Sequence, residues 1–153
     1  MPATGHSATG FRRFARGTGF SLWTLAAAIA LAQSSPDVVL FVRSLASTLT
    51  QAHDADGVGR PDAALFLDHF DPNMPGYAQL RDDVESLITE DEVGSSIEIL
   101  TDNGTDGKRV LELDWILEIP DKQPRRKLVT CTIERKKKDW KITGFNPIDF
   151  FRN

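Results

Sequence analysis

Two hydrophobic periods divide this chain. From Val38 to Ile88 apolar residues recur at helical spacing, and beyond Val93 they recur at every second position. Val38, Phe41, Val42, Leu45, Leu49 and Ala52 form one stripe and predict a helix with a single buried face. Ser35-Pro36-Asp37 supplies its start: a hydroxyl able to cap free amides, a proline suited to the first turn and an acid at the positive end of the dipole. Pro61-Asp62 then opens a short helix in which Leu65, Phe66, His69 and Phe70 share a face, broken by Asp71-Pro72-Asn73-Met74-Pro75-Gly76. A third helix is predicted from about Tyr77 to Glu90, with Leu80, Val84, Leu87 and Ile88 inward and Arg81, Asp82, Asp83 and Glu85 in solvent.

After Val93 the pattern alternates. Ser95, Ile97 and Ile99 face one way, and Asn103-Gly104 and Asp106-Gly107 end that strand. In the return strand Leu111, Leu113, Trp115, Leu117 and Ile119 oppose Glu112, Asp114 and Glu118, which is the signature of a half-buried antiparallel strand. A turn at Pro120–Pro124 leads to a third strand over 126–135, and a lysine-rich turn, expected to be solvated, leads to a fourth from Trp140 to about Phe150. Single-faced helices and a single-faced sheet must bury those faces on each other. The expected class is α+β, three N-terminal helices packed on a curved, mainly antiparallel four-stranded sheet.

Residues 1–32 read differently. Arg12, Arg13 and Arg16 precede an uncharged apolar run from Phe20 to Leu31 that ends in Ala30-Leu31-Ala32, the pattern of a secretory signal peptide cut between Ala32 and Gln33. The run is shorter than the roughly 20 residues a spanning helix needs. The expectation is a secreted or periplasmic protein, free of the membrane after cleavage, with one domain over 33–153. Removing the leader takes away three arginines and no acid, so 15 basic side chains face 22 acidic ones, a net charge of −7. That balance argues against nucleic acid as a partner. Cys131 is the only cysteine and sits in a strand-like run, where a buried inert thiol is expected. Two histidines, His53 and His69, follow the leader without a second ligand at short helical spacing, so no metal is expected and no cofactor motif is present.

The order helix, short helix, proline-bearing loop, helix and long hairpins resembles the cone-shaped fold of the nuclear transport factor 2-like (NTF2-like) superfamily, which includes SnoaL-like polyketide cyclases and ketosteroid isomerases. The segments Phe70-Asp71-Pro72-Asn73-Met74-Pro75-Gly76-Tyr77 and Asn146-Pro147-Ile148-Asp149-Phe150-Phe151 are similar to those of exported bacterial members without assigned activity. The short strand usual in that family between its second and third helices is not visible in the pattern. The resemblance implies a pocket in the mouth of the cone, where an enzyme would use a carboxylate or histidine base and a hydroxyl donor.

His69 and Tyr77 are the candidates for base and donor. With Phe66, Trp115 and Trp140 they are the candidate lining of a pocket for a small apolar ligand, although core packing is an alternative role for each. Strand alternation directs Glu112, Asp114, Ile116 and Glu118 away from the helices; a solvated strand face is the first reading, and Ile116 among acids makes that face a candidate interface for a homodimer. The expected function is an exported small-ligand-binding or protein-interaction module without catalysis. One alternative is a SnoaL-like isomerase, dehydratase or cyclase, and another is a homodimerising structural module.

Overall fold

The computed structural model describes residues 34–153. The leader and the cleavage point between Ala32 and Gln33 lie outside the described residues. Helix α1 spans Pro36–Gln51 and runs into a 3-10 turn at Ala52–Asp54; α2 is Ala64–Leu67 and α3 is Tyr77–Glu90. The strands are β1 (Gly94–Gly104), β2 (Lys108–Glu118), β3 (Arg125–Lys136) and β4 (Asp139–Asn146). They form one antiparallel meander in sequence order, the α+β arrangement expected. Among the described residues no helix is long and apolar enough to cross a membrane.

Burial follows the predicted stripes. Val38, Val42, Leu45 and Leu49 of α1 and Leu80, Val84, Leu87 and Ile88 of α3 are buried against the alternating inner residues of the sheet. His53 ties the end of α1 to α3 through Nδ1, 2.8 Å from the carbonyl of Ile88. Bulges in the β1–β2 pairing between Ile99 and Thr101, and in β3–β4 after Thr132, bend the sheet around the helices. Gly104 closes the first hairpin at φ +146°, where an added Cβ would stand 2.2 Å from the carbonyl oxygen of Lys108. Only glycine fits that approach.

Several local expectations change. Ser35 makes no side-chain cap to α1 and instead bonds the carboxylate of Asp37. The second helix is a single turn whose Ala64 amide donates to Asp62, and Leu65 is 68% exposed rather than inward, because Phe66 and Leu67 take the buried side. Asp83 is not simply wet: it is drawn in beside Arg152, 3.6 Å away. The strand that the resemblance calls for between α2 and α3 is present as one residue: Phe70 makes a parallel bridge to Ile142, with the amide of Ile142 donating to His69 O at 2.8 Å and that of Asp71 to Ile142 O at 2.9 Å. A single bridge carries no alternating pattern, so periodicity could not reveal it.

The fourth strand ends at Asn146, earlier than expected, and residues 147–151 turn back across the sheet. That turn places Phe150 and Phe151 in the core, each wholly buried, while Arg125 Nη1 donates to the carbonyl of Phe150 at 2.7 Å.

Candidate functional site

The resemblance implies a pocket in the mouth of the cone, and the candidate residues that would line it meet a cluster of packed aromatic rings. Phe66 and Phe70 come from α2 and the loop after it, Trp115 from β2, Phe145 from β4, and Phe150 and Phe151 from the terminal turn. Trp115 lies 5.4 Å from Phe150, 5.5 Å from Phe151 and 6.0 Å from Phe145, centroid to centroid, and Phe66 lies 5.6 Å from Phe151. These are edge and tilted contacts of the kind that fill space efficiently. The indole N–H of Trp115 donates to Ser95 Oγ at 2.9 Å, so its polar edge is satisfied. Phe66 and Trp115 are therefore core residues at 0% exposure, not the walls of an open chamber. Cys131 is buried in the same core, opposite Leu111 and Phe145, and burial pushes its thiol pKa up, which keeps it protonated and inert.

The other three candidates divide between two external clefts. Tyr77, at the start of α3, packs on the core and lines a cleft of about 680 Å³ with Leu67, Phe70, Pro72 and Glu85. His69 and Trp140 share a groove of about 470 Å³ between α1 and the β3–β4 hairpin. His69 and Tyr77 thus occupy separate clefts, and no base–donor pair forms between them.

His69 is held on three sides. Nδ1 lies 3.0 Å from the carbonyl of Phe66, Nε2 lies 3.0 Å from Ser44 Oγ, and the ring of Phe41 sits 5.5 Å away. Burial lowers its pKa from the ordinary histidine value, partly opposed by hydrogen bonding to the Phe66 carbonyl. Trp140 closes the other end of the groove. Its indole N–H donates to Asp37 Oδ2 at 3.0 Å, and the Arg135 guanidinium, 4.3 Å above its ring, donates to the same oxygen at 2.5 Å. Arg135 also donates to the carbonyls of Asp106 and Lys138, so the basic turn is anchored rather than merely solvated.

Hydrogen bonds from Ser35, Arg135 and Trp140 hold the Asp37 carboxyl well below the usual carboxylate range. A depressed acid stabilises the fold above its unfolded pKa of about 3.9 and loses that contribution as pH falls toward the folded value. Asp37→Asn should therefore be less stable than the wild type at neutral pH, by less than about 1 kcal/mol because the pair is half-exposed. The gap should narrow on acidification. Urea titrations of both proteins at neutral pH and in acid check this, and a gap that is the same in both contradicts it.

The outer face of the sheet carries the second group of candidates. Val110, Glu112, Asp114, Ile116 and Glu118 alternate along β2 with buried Leu111, Leu113, Trp115 and Leu117, so the predicted outward direction holds. Asp114 is nonetheless only 8% exposed, because Arg126 of β3 covers it with a bidentate ion pair that includes an Nε–Oδ1 bond of 2.9 Å. Arg126 keeps the Asp114 carboxyl below its ordinary range. Leu128, the partner of Asp114 in the β2–β3 register, is 68% exposed, and Leu100 and Val110 are 48% and 41% exposed. Among the described residues no group of three histidine, cysteine or acidic side chains gathers at ligating distance.

No protein-family model matches the sequence, and no curated protein is significantly similar to it. Solved structures do share the fold. The Bdellovibrio bacteriovorus protein Bd1075 superposes with a TM-score of 0.58 at 14% identity, over 72% of this chain. This chain spans 39% of the length of that protein. An NTF-2 like protein of unknown function from Shewanella oneidensis superposes with a TM-score of 0.54 at 10% identity, over 71% of this chain and 93% of that one. A domain of unknown function with a cystatin-like fold from Nostoc punctiforme gives 0.54 at 10% identity, over 74% and 76%.

Proposed function

We propose that this chain, which has the nuclear transport factor 2-like fold, is an exported interaction module that pairs with a second copy of itself through the outer face of its sheet. The observation that carries this is the presence of uncovered apolar side chains among the charges of that face. Leu128 is 68% exposed opposite Asp114, Ile116 is only partly covered at the next outward position of β2, and Val110 is 41% exposed further along the same strand. The charges support a self-complementary contact, because Arg126, paired with Asp114, stands near Glu98, and Glu112 and Glu118 lie on the same face of β2. A two-fold axis would set the arginine of each copy against the glutamates of the other. The filled aromatic interior favours this reading over a small-ligand pocket in the cone, and the separation of His69 from Tyr77 disfavours acid–base chemistry there. Export rests on the leader pattern of residues 1–32.

Native mass spectrometry of the protein recovered from its host envelope should give a dimer of chains beginning at Gln33. Leu128→Glu should give monomers with unchanged circular dichroism, since the side chain is exposed and supports nothing inside the fold. A monomeric wild type at the highest soluble concentration, or a variant that still dimerises, would refute the sheet-face interface. Chains that retain Met1 would refute export.

A further inference from the structure

The groove between α1 and the β3–β4 hairpin holds a nucleophile and a base in contact. We infer that Ser44 and His69 form a catalytic pair that transfers acyl groups from small esters, with Ser44 Oγ as nucleophile and His69 Nε2 as base. A carbonyl oxygen can only accept, so the Nδ1···O contact of 3.0 Å to Phe66 puts the ring proton on Nδ1. Nε2 then carries the lone pair and accepts the Ser44 hydroxyl proton across 3.0 Å. This is the tautomer a general base requires, oriented by a third group as in other nucleophile–base pairs. Burial lowers the pKa of the imidazole and so favours its neutral form.

The surroundings suit a compact substrate. Ser44 is exposed and sits on α1, a rigid element, while Leu40, Phe41 and Trp140 offer apolar contact for an acyl or aryl group within the 470 Å³ groove. Lys141 lines the same groove and is anchored by the carbonyl of Asp68, with the Asp68 carboxylate 3.3 Å away. Its ammonium supplies positive charge for the oxyanion, and Asp68 favours the imidazolium that forms beside it.

The steps balance without any further reagent. As Oγ bonds to the ester carbonyl carbon, its proton moves to Nε2 and the C=O π pair moves onto oxygen. Collapse of the tetrahedral adduct breaks the bond to the leaving oxygen, which takes the proton from Nε2. Water repeats the sequence on the acyl-serine, releasing the acid and restoring the Ser44 hydroxyl. A fluorophosphonate would follow the first half, with an O–P bond formed and fluoride expelled.

The test exposes the mature protein to an alkyl fluorophosphonate and maps the adduct by peptide mass spectrometry, with p-nitrophenyl acetate turnover read in parallel. The expected result is a single adduct on Ser44, none in Ser44→Ala, and labelling and turnover slowed by about 100-fold or more in His69→Gln. Ser86→Ala, which alters another exposed helix serine, should behave as the wild type. Ser44→Ala replaces an exposed helical residue by the best helix former, so loss of the adduct there does not reflect unfolding. No adduct on the wild type, an adduct that persists in Ser44→Ala, or a rate unchanged in His69→Gln would overturn the assignment.

Discussion

Trp115→Ala should lower the free energy of unfolding by about 4 kcal/mol, the range for truncating a fully buried large aromatic. The indole is 0% exposed and touches four rings from three separate segments: Phe66, Phe145, and the adjacent Phe150 and Phe151. Those segments are tied down by the sheet, α2 and the terminal turn, so they cannot close the void. The surviving Ser95 hydroxyl would also lose its donor. Trp115→Phe should cost less, since a second ring fills most of the space and only the N–H bond is lost. Equilibrium urea denaturation of the three proteins measures the order. An alanine variant within about 1 kcal/mol of the wild type would show that the interior relaxes freely and that the cone is not rigidly filled.

That interior also explains which parts of this molecule can be seen in its sequence. The helical stripes of α1 and α3 and the alternation of β2 are local patterns, and each predicts its own buried face correctly. Leu128 stands out of phase with the buried Val129, Cys131 and Ile133 and points outward as an exposed apolar residue. What no local pattern holds is whether Phe66 and Trp115 line a cavity or fill it. The answer depends on Phe150 and Phe151, more than thirty residues away from Trp115, turning back over the sheet. The same limit hid the Ser44–His69 contact, which spans 25 positions and joins a polar position flanking the α1 stripe to the end of α2. It also hid the role of Arg135, which reads as one cation in a basic turn until Asp37 is brought beside it.

The β1 bulge produces the second large effect. Strict alternation from Ile97 and Ile99 would turn Asp102 outward, but the extra residue between Ile99 and Thr101 reverses the phase and sets Asp102 against Leu111 on the inner face. Its side chain is 1% exposed, with Arg109 Nε bonded to Oδ1 at 2.5 Å and Oδ2 without a partner. Arg109 also donates to the carbonyl of Thr105 at 3.1 Å, so it fastens the hairpin tip as well as neutralising the acid. Arg109→Leu would leave a buried carboxylate unpaired, and the expected loss is about 3 to 5 kcal/mol. Asp102→Leu should cost less, because Arg109 is 17% exposed and its long stem can carry the charge to water. The double variant should regain most of the stability, since two packed leucines need no compensation. Urea denaturation of the three variants decides it. Losses that simply add in the double variant would mean that the two residues stabilise the hairpin independently, and that the bulge does not hold Asp102 in place through its arginine.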